Sequence, residues 1–375
     1  MQKARILLTP AAICLAFTSG LAEEQGLGLH ERIVLPVFNS SAPGCTPPTD
    51  LKKSLLYVQE NAREFLAGVN QGLEAAAHDR GLQYQDVVVE NDVPKAIQQI
   101  QGATRDKIGA IVATSSNPKA VSTSLQQAIW SGEYVGTIVP PPATLLLNAP
   151  QYATGKALTD AAVAYINSKL DGKANVVLLT QDSMQYLAPR FAAMRAGLGA
   201  LPGVNIVADI TPNPVSKEGG YETMKTILLA NPDIDVVLGG DAVVLGALKA
   251  LREAGKARSE QFLGGIDGEP EAVAEIKMAD SPYKASIALS SPVFGYAMGQ
   301  YGADWLDGKS IPQAMDVLPT ALTKDNINSY EADLKDPAAV FRDPPRRATY
   351  LKAYGNICYD TRDQYVNFPW SSEQN

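Results

Sequence analysis

The sequence predicts an α/β protein built as two doubly wound parallel-sheet lobes. Three observations carry this. From Glu31 to about Lys324, short β-rich runs alternate with longer helical patterns, and such alternation produces parallel sheets with helices on both faces. Several of the β-rich runs are continuous Val/Ile/Leu stretches without strict alternation, as in strands buried on both sides. The chain, at 375 residues, also exceeds what one hydrophobic core usually serves, so two lobes are expected. Right-handed crossovers follow from strand twist.

In chain order, strands are expected at Ile33–Phe38, Asp86–Glu90, Ile108–Thr114, Tyr134–Val139, Ala174–Thr180, Val204–Ile210, Val236–Gly239, Phe262–Ile266 and Ala285–Leu289. Amphipathic helical patterns cover Val58–Asp79, Ala157–Leu170, Tyr186–Gly199, Tyr221–Ala230, Ala242–Ala254 and Pro270–Ala279. Two segments break the rhythm. Residues 39–57 read as a Pro/Ser-rich loop after the first strand, and residues 331–375 as a tail rich in proline and aromatics.

The N-terminus reads as a secretory signal. Lys3 and Arg5 precede a mostly apolar run from Ile6 to Phe17, and small residues at Gly20 and Ala22 make a cleavage site before Glu23. The run is too short to span a bilayer, which takes about 20 residues. Cys14 falls inside it after Ile13 rather than a small residue, so a lipid anchor is not expected. Removing residues 1–22 leaves 353 residues and, with Lys3 and Arg5 gone, moves the formal charge from −8 to −10. An acidic chain is a poor partner for nucleic acid or an anionic membrane. Two cysteines remain, Cys45 and Cys358; in an oxidising compartment they read as one disulfide, tying the tail to the long loop. With the first strand at 33–38, that loop would lie on the ligand side of the sheet.

Ligands of parallel α/β sheets sit beyond the carboxyl ends of the strands. Those ends carry Phe38 and Asn39, Asn91 and Asp92, and Thr114, Ser115 and Ser116 in the first half. The second half offers Gln181, Asp182, Asp241 and Asp267, with Arg190 a helical turn beyond Asp182. Carboxylates, amides and a guanidinium suit vicinal hydroxyls, and an aromatic ring suits the apolar face of a sugar. Each residue alone could equally be a cap or turn former; the set as a whole points to a polyhydroxyl ligand. Enzyme signatures are missing: there is no G-x-S-x-G elbow, no H-E-x-x-H and no phosphate loop. His30 and His78 complete the histidine count and read as solvated bystanders. No cofactor or metal is expected, and Trp130, Trp305 and Trp370 read as packing residues.

Three ordered blocks then resemble the periplasmic sugar-binding proteins of the ribose-binding type. Residues 228–255 (LLANPDIDVVLGGDAVVLGALKALREAG) are similar to the family's L-anP-dI-v-ndd-AlGA-A-aaG stretch. Residues 264–272 (GGIDGEPEA) resemble its strand ending in Asp-Gly, and 155–165 (GKALTDAAVAY) the start of its second lobe. The resemblance covers roughly residues 31–325. It implies the type I periplasmic binding protein fold and ligand contacts from Arg190, Asp267 and the Gly240–Asp241 corner, where relatives commonly have Asn in place of Gly240. It sets Phe38 and Asn39 where the family has aromatics. After the fourth strand, relatives have Asp-Arg and this chain has Val139-Pro140-Pro141-Pro142. That wall is more apolar, which admits a deoxy sugar, cyclitol or polyol.

The ligand-binding set expected is therefore Phe38, Asn39, Asn91, Ser115, Arg190, Asp241 and Asp267. Lobe 1 is expected at 23–147 plus 289–318 and lobe 2 at 148–288, joined by a three-stranded hinge, with 319–375 as hinge return and tail. The implied protein is a monomeric periplasmic binder that closes on a carbohydrate-like small molecule and delivers it to an ABC permease. A binder feeding a chemoreceptor or sensor kinase is the alternative, as is a less polar, non-sugar solute. A repressor of the same sensing fold would carry a basic helix-turn-helix where this chain has its signal sequence. The disulfide either pins the tail to lobe 1 or limits hinge opening.

Overall fold

The computed structural model describes residues 34–115, 117–138, 142–368 and 370–374. The signal sequence, Ser116 and Val139–Pro141 therefore lie outside the described residues. Two α/β lobes follow one another. The first begins with β1 (Lys52–Gln59), α1 (Glu64–Arg80), β2 (Gln83–Val88), α2 (Val93–Arg105), β3 (Ile108–Ala113), α3 (Pro118–Ser131), β4 (Tyr134–Ile138) and β5 (Leu145–Asn148). The second comprises α4 (Gln151–Lys169), β6 (Ala174–Leu179), α5 (Ala188–Gly199), β7 (Val204–Ile210), α6 (Lys217–Ala230), β8 (Val236–Gly239), α7 (Asp241–Glu253), β9 (Phe262–Asp267), α8 (Pro270–Lys277) and β10 (Tyr283–Ala288). The chain continues through α9 (Ser291–Leu306), β11 (Ala314–Val317), β12 (Thr320–Leu322), α10 (Ile327–Lys335), α11 (Pro337–Arg342), α12 (Pro344–Arg347) and β13 (Leu351–Tyr354).

The sheets run β13-β11-β5-β4-β3-β1-β2 and β12-β10-β9-β8-β6-β7. Both are parallel except for one antiparallel edge strand each, β13 on β11 and β12 on β10. Local chemistry fixes the helix starts: Asp92, Asn117 and Ser216 accept from backbone amides as N-caps of α2, α3 and α6. Apolar α9 is buried along nearly its whole length and packs on α1 and the first sheet, forming the centre of that core. The chain passes between sheets at β5–α4, β10–α9 and β11–β12, as the three-stranded hinge requires. A fourth passage follows, because α10–α12 lead back to β13 in the first sheet.

The first strand is where sequence and structure part. Residues 34–38 form no strand; Val37 makes a single bridge to Tyr354, and Val34 and Val37 are exposed. The true first strand, β1, occupies what reads as loop and helix start, and α1 begins only at Glu64. The reason is burial: Ser54–Gln59 are all buried between β2 and β3, whereas 34–38 touches only the edge strand around Tyr354 on one side. The helices α2, α3 and α9 are additions to the pattern expected from sequence. The tail is no loose appendage either. Phe341 stacks edgewise on Tyr296 and Tyr301, and Trp370 packs on Tyr354 in a cluster with Leu35, Ala143 and Val366.

The Cys45–Cys358 disulfide is formed, with Cα atoms 5.8 Å apart. Since β1 starts at Lys52, Cys45 precedes the strand and lies at the amino ends of the first sheet. There its amide donates to the Gly308 carbonyl at 2.6 Å, just beyond α9. The expectation that it lies on the ligand side is thereby corrected. Both half-cystines belong to the first lobe.

Candidate ligand-binding site

The carboxyl ends of β1, β2 and β3 supply one wall of the cleft. Beyond β1 come Glu60, Asn61 and Arg63. The Asn61 side-chain amide donates to Asn91 Oδ1 at 3.0 Å, so Asn91, which sits in the left-handed region at φ 60°, lies beside the residues that follow β1. Asp92 is occupied in capping α2, accepting from the Lys95 amide at 2.9 Å. Thr114 Oγ1 accepts from the Glu60 amide at 2.9 Å and shapes that loop. Ser115 Oγ accepts from the Asn117 amide at 3.1 Å, closing a local turn at the mouth of α3. Gln59 is buried, and its Oε1 has no hydrogen-bond partner among the described residues.

Phe38 and Asn39 are not on this wall. Phe38 packs edgewise on Tyr301, and Asn39 exchanges hydrogen bonds with Asn356 near the tail. Their placement in the expected site followed from taking 33–38 as the first strand; β1 puts Glu60, Asn61 and Arg63 there instead.

The second lobe supplies the opposing wall. Arg190, in the first turn of α5, is 7 % exposed, and its Nε donates to Gln151 Oε1 at 2.8 Å. Gly155 of α4 makes this possible: a Cβ there would lie 1.9 Å from the Arg190 carbonyl, so only glycine allows the two helices to approach this closely. Burial depresses the guanidinium, and the facing Asp267 carboxylate and Tyr186 raise it again. Asp267 ends β9 with φ 117°, a conformation costly for a residue with a Cβ. Burial raises its carboxyl; Arg190 and, from the first lobe, Arg63 pull it down.

Asp241 was expected as a ligand contact, and the structure gives it a different task. It is fully buried. It accepts from Tyr283 Oη (2.7 Å), Ser286 Oγ (2.8 Å) and the Glu269 amide (2.8 Å). A Cβ on Gly265 would fall 1.8 Å from Asp241 Oδ1, which shows how closely strand and carboxylate are fitted. Ser286 Oγ also accepts from the Gly268 amide at 3.1 Å. Asp241 and Ser286 thus hold the Asp267–Glu269 turn from behind. Burial pushes the Asp241 carboxyl up to about 6. Glu269, at the front of the turn, is pushed to about 7 by burial and by Asp241, Asp267 and Glu64.

Asp182 is likewise committed elsewhere, to the Asp182–Arg195–Asp209 ion-pair chain at the surface. The residue that sequence reading missed is Tyr186. The expected helix absorbed it, but α5 starts at Ala188, leaving Tyr186 on the loop and 53 % exposed. Its hydroxyl, raised by partial desolvation, lies in the field of Arg63, Arg190, Glu60 and Asp267. Tyr186 is therefore an aromatic side chain close to charged groups of both lobes. Among the described residues no cluster of His, Cys, Asp and Glu could hold a metal ion, and no helix is long and apolar enough to cross a membrane.

The chain is similar in sequence and fold to known proteins. The ribose import binding protein of Bacillus subtilis is 26 % identical over 269 residues, 67 % of this chain and 80 % of the relative. A xylitol-binding protein of Mycolicibacterium smegmatis is 25 % identical over 276 residues, 70 % of this chain and 75 % of its own. Among solved structures, a 5-methylthioribose transporter solute-binding protein from Thermotoga lettingae, in complex with 5-methylthioribose, superimposes with a TM-score of 0.65. It is 19 % identical, with 80 % of this chain and 94 % of that one covered. The family model described as periplasmic binding protein domain matches residues 55–310, from within β1 to just beyond α9. This chain belongs to the periplasmic binding protein family, a family of binding proteins of the type I fold.

Proposed function

We propose that this protein binds a polyhydroxyl small molecule, a sugar, polyol or cyclitol, between its lobes in the periplasm and delivers it to an ABC permease. The observation that carries this is Arg190: a buried guanidinium with one N–H spent on Gln151, beside an Asp267 carboxylate that Arg63 of the other lobe also reaches. Paired donors and acceptors of this kind match vicinal hydroxyls, and Tyr186 can cover an apolar sugar face. The relatives named for ribose, xylitol and 5-methylthioribose support the class. The last, a sugar with an apolar substituent, is in keeping with a ligand less polar than a free pentose. The reading is one of binding without catalysis, by a monomer.

In this reading the lobes are 34–148 with 291–317 and the tail from 351, and 151–288 with 320–322. A ligand touching both shifts the hinge equilibrium by its differential affinity for the closed state. The family's mode of action, hinge closure around a ligand, is well established in general. The test is a thermal-shift screen of residues 23–375 against pentoses, hexoses, polyols, cyclitols and amino acids. A ligand bound only by the native state raises its stability. A shift with a polyhydroxyl compound, abolished by Arg190→Ala or Asp267→Ala, is expected. Shifts confined to amino acids would overturn the ligand class. Cell fractionation and capture of the permease from membranes test location and partner; capture of a chemoreceptor instead would favour the sensory role.

A further inference from the structure

Helix α4 begins where the chain enters the second lobe, and its own sequence gives it no cap. The N-cap position is Pro150, without a side-chain acceptor, whereas the first turn of any helix leaves amide N–H groups unpaired that Ser, Thr, Asp or Asn ordinarily satisfy. Here the acceptor comes from the far end of the chain. Glu373 Oε2 accepts from the Tyr152 amide at 3.0 Å and Oε1 from the Ala153 amide at 2.6 Å. A carboxylate at this position also faces the positive end of the helix dipole. Gln151, immediately before these two residues, is the side chain that accepts from Arg190 Nε at 2.8 Å. One helical turn therefore carries both the C-terminal contact and the contact to the cleft arginine.

The segment that brings Glu373 here is anchored in the first lobe. Val366 and Ala143 exchange two backbone hydrogen bonds of 2.9 Å, and the Trp370 ring lies 5.0 Å from that of Tyr354. We infer that Glu373 is a positioning residue of the ligand cleft: by capping α4 it fixes Gln151, and Gln151 fixes the Arg190 guanidinium with its remaining donors free for ligand. The inference rests on the binding role proposed for the cleft and adds to it a residue more than 180 positions from the arginine it serves.

The test compares the full mature chain with Glu373→Ala, Glu373→Gln and Gln151→Ala. Hydrogen exchange of the ligand-free proteins is followed in peptides covering 150–156 and 186–194, and D-ribose, D-arabinose, xylitol and myo-inositol are titrated calorimetrically. Losing a cap of ordinary strength, Glu373→Ala should speed exchange at 152–153 about fivefold. Faster exchange around Arg190 should accompany it, and affinity for any probe the wild type binds should fall several-fold. Glu373→Gln, which keeps the acceptor oxygen, should recover part of both. Gln151→Ala should weaken binding with 152–153 still protected. The inference is overturned if Glu373→Ala loosens 152–153 while Arg190 exchange and probe affinity stay at wild-type values. It also falls if exchange at 152–153 does not change. If the wild type binds none of the four probes, the proposed ligand class is in question while the exchange comparison still decides the coupling.

Discussion

Glu133 sits on the turn between α3 and β4, completely buried, and neither carboxylate oxygen has a hydrogen-bond partner among the described residues. Burial pushes it from 4.5 to about 7, with its own backbone and then Lys107 partly offsetting this and Asp50 adding to it. The sign of the linkage follows. Below pH 4.5 folded and unfolded states both hold the proton and nothing is lost. Between 4.5 and 7 the unfolded chain releases it while the fold retains it, so stability falls as pH rises; above 7 the loss is constant. At 1.36 kcal/mol per pH unit the full cost is about 3 kcal/mol. Glu133→Gln removes the ionisation but keeps the shape and an unpaired polar group. Its effect at pH 4.5 should therefore be small, and at pH 8 it should stabilise by about 3 kcal/mol more than at pH 4.5. Urea unfolding of the disulfide-intact protein at the two pH values gives the difference. Trp130, Trp305 and Trp370 all belong to the first lobe or its tail, so tryptophan fluorescence follows the lobe that holds Glu133. An equal effect of the substitution at both pH values would refute the argument.

Three further outcomes are expected. Asp241→Ala strands the Tyr283 and Ser286 hydroxyls and the Glu269 amide in the interior, costing about 2–4 kcal/mol and weakening ligand binding as the 267–269 turn relaxes. Chemical denaturation and calorimetric titration separate the two effects. Gly155→Ala forces α4 away from the Arg190 backbone and should lower both melting temperature and affinity; unaltered affinity in a folded variant would show that Arg190 tolerates the displacement. Reducing Cys45–Cys358 should cost about 2–4 kcal/mol, the usual range for losing a disulfide, without changing ligand affinity, since both half-cystines lie in the first lobe. A changed affinity on reduction would restore a hinge-limiting role.

The second lobe was almost wholly legible in the sequence, and the first was not, for a physical reason. In the second lobe strands such as Val236–Gly239 and Phe262–Asp267 are buried on both faces, so each is an apolar run flanked by turn residues; Asp267 falls directly at a strand end, and Arg190 opens the helix after β6. In the first lobe β1 carries Lys52, Lys53 and Ser54 ahead of its apolar stretch, and Val58 onward has helical periodicity; Ile33–Phe38 has the stronger local β-propensity. Local preference cannot reveal that Leu55–Val58 gain β2 and β3 as neighbours while 34–38 gain only a single bridge to the edge at Tyr354. The error displaced the site residues by some twenty positions, from Phe38 and Asn39 to Glu60, Asn61 and Arg63. Asp241 was found by its place at a strand end but not its role, because position alone does not show that Tyr283, Ser286 and the Glu269 amide would saturate it. Glu373 offers no sequence signal except indirectly: Pro150 before a helical run announces an uncapped helix that must find its acceptor elsewhere.

The additions outside the matched domain are concentrated on one lobe and the hinge. Residues 34–51 bind the tail and the α9 terminus through Phe38–Tyr301 and Cys45–Cys358, and the tail ends by capping α4. Between these, the chain that returns from β12 to β13 lies against the passages it runs beside. Asp316, at the end of β11, accepts from Asn148 at 2.7 Å and from Tyr354 at 2.9 Å, so one carboxylate joins the β5 and β11 passages to the tail strand. At the remaining passage Ser290 adopts φ 35°; on α10, Tyr330 lies beside it and its hydroxyl approaches Gly268, one residue from Asp267. Each of the three hinge passages is therefore touched by a residue from beyond the matched domain. If ligand closes the hinge as proposed, a hinge braced in this way should lose fewer conformations on closing, because ordering has already been done in the free protein. Removing the Tyr330 and Tyr354 contacts by substitution to Phe should then weaken ligand binding in calorimetric titration, and unchanged affinity would refute the bracing argument.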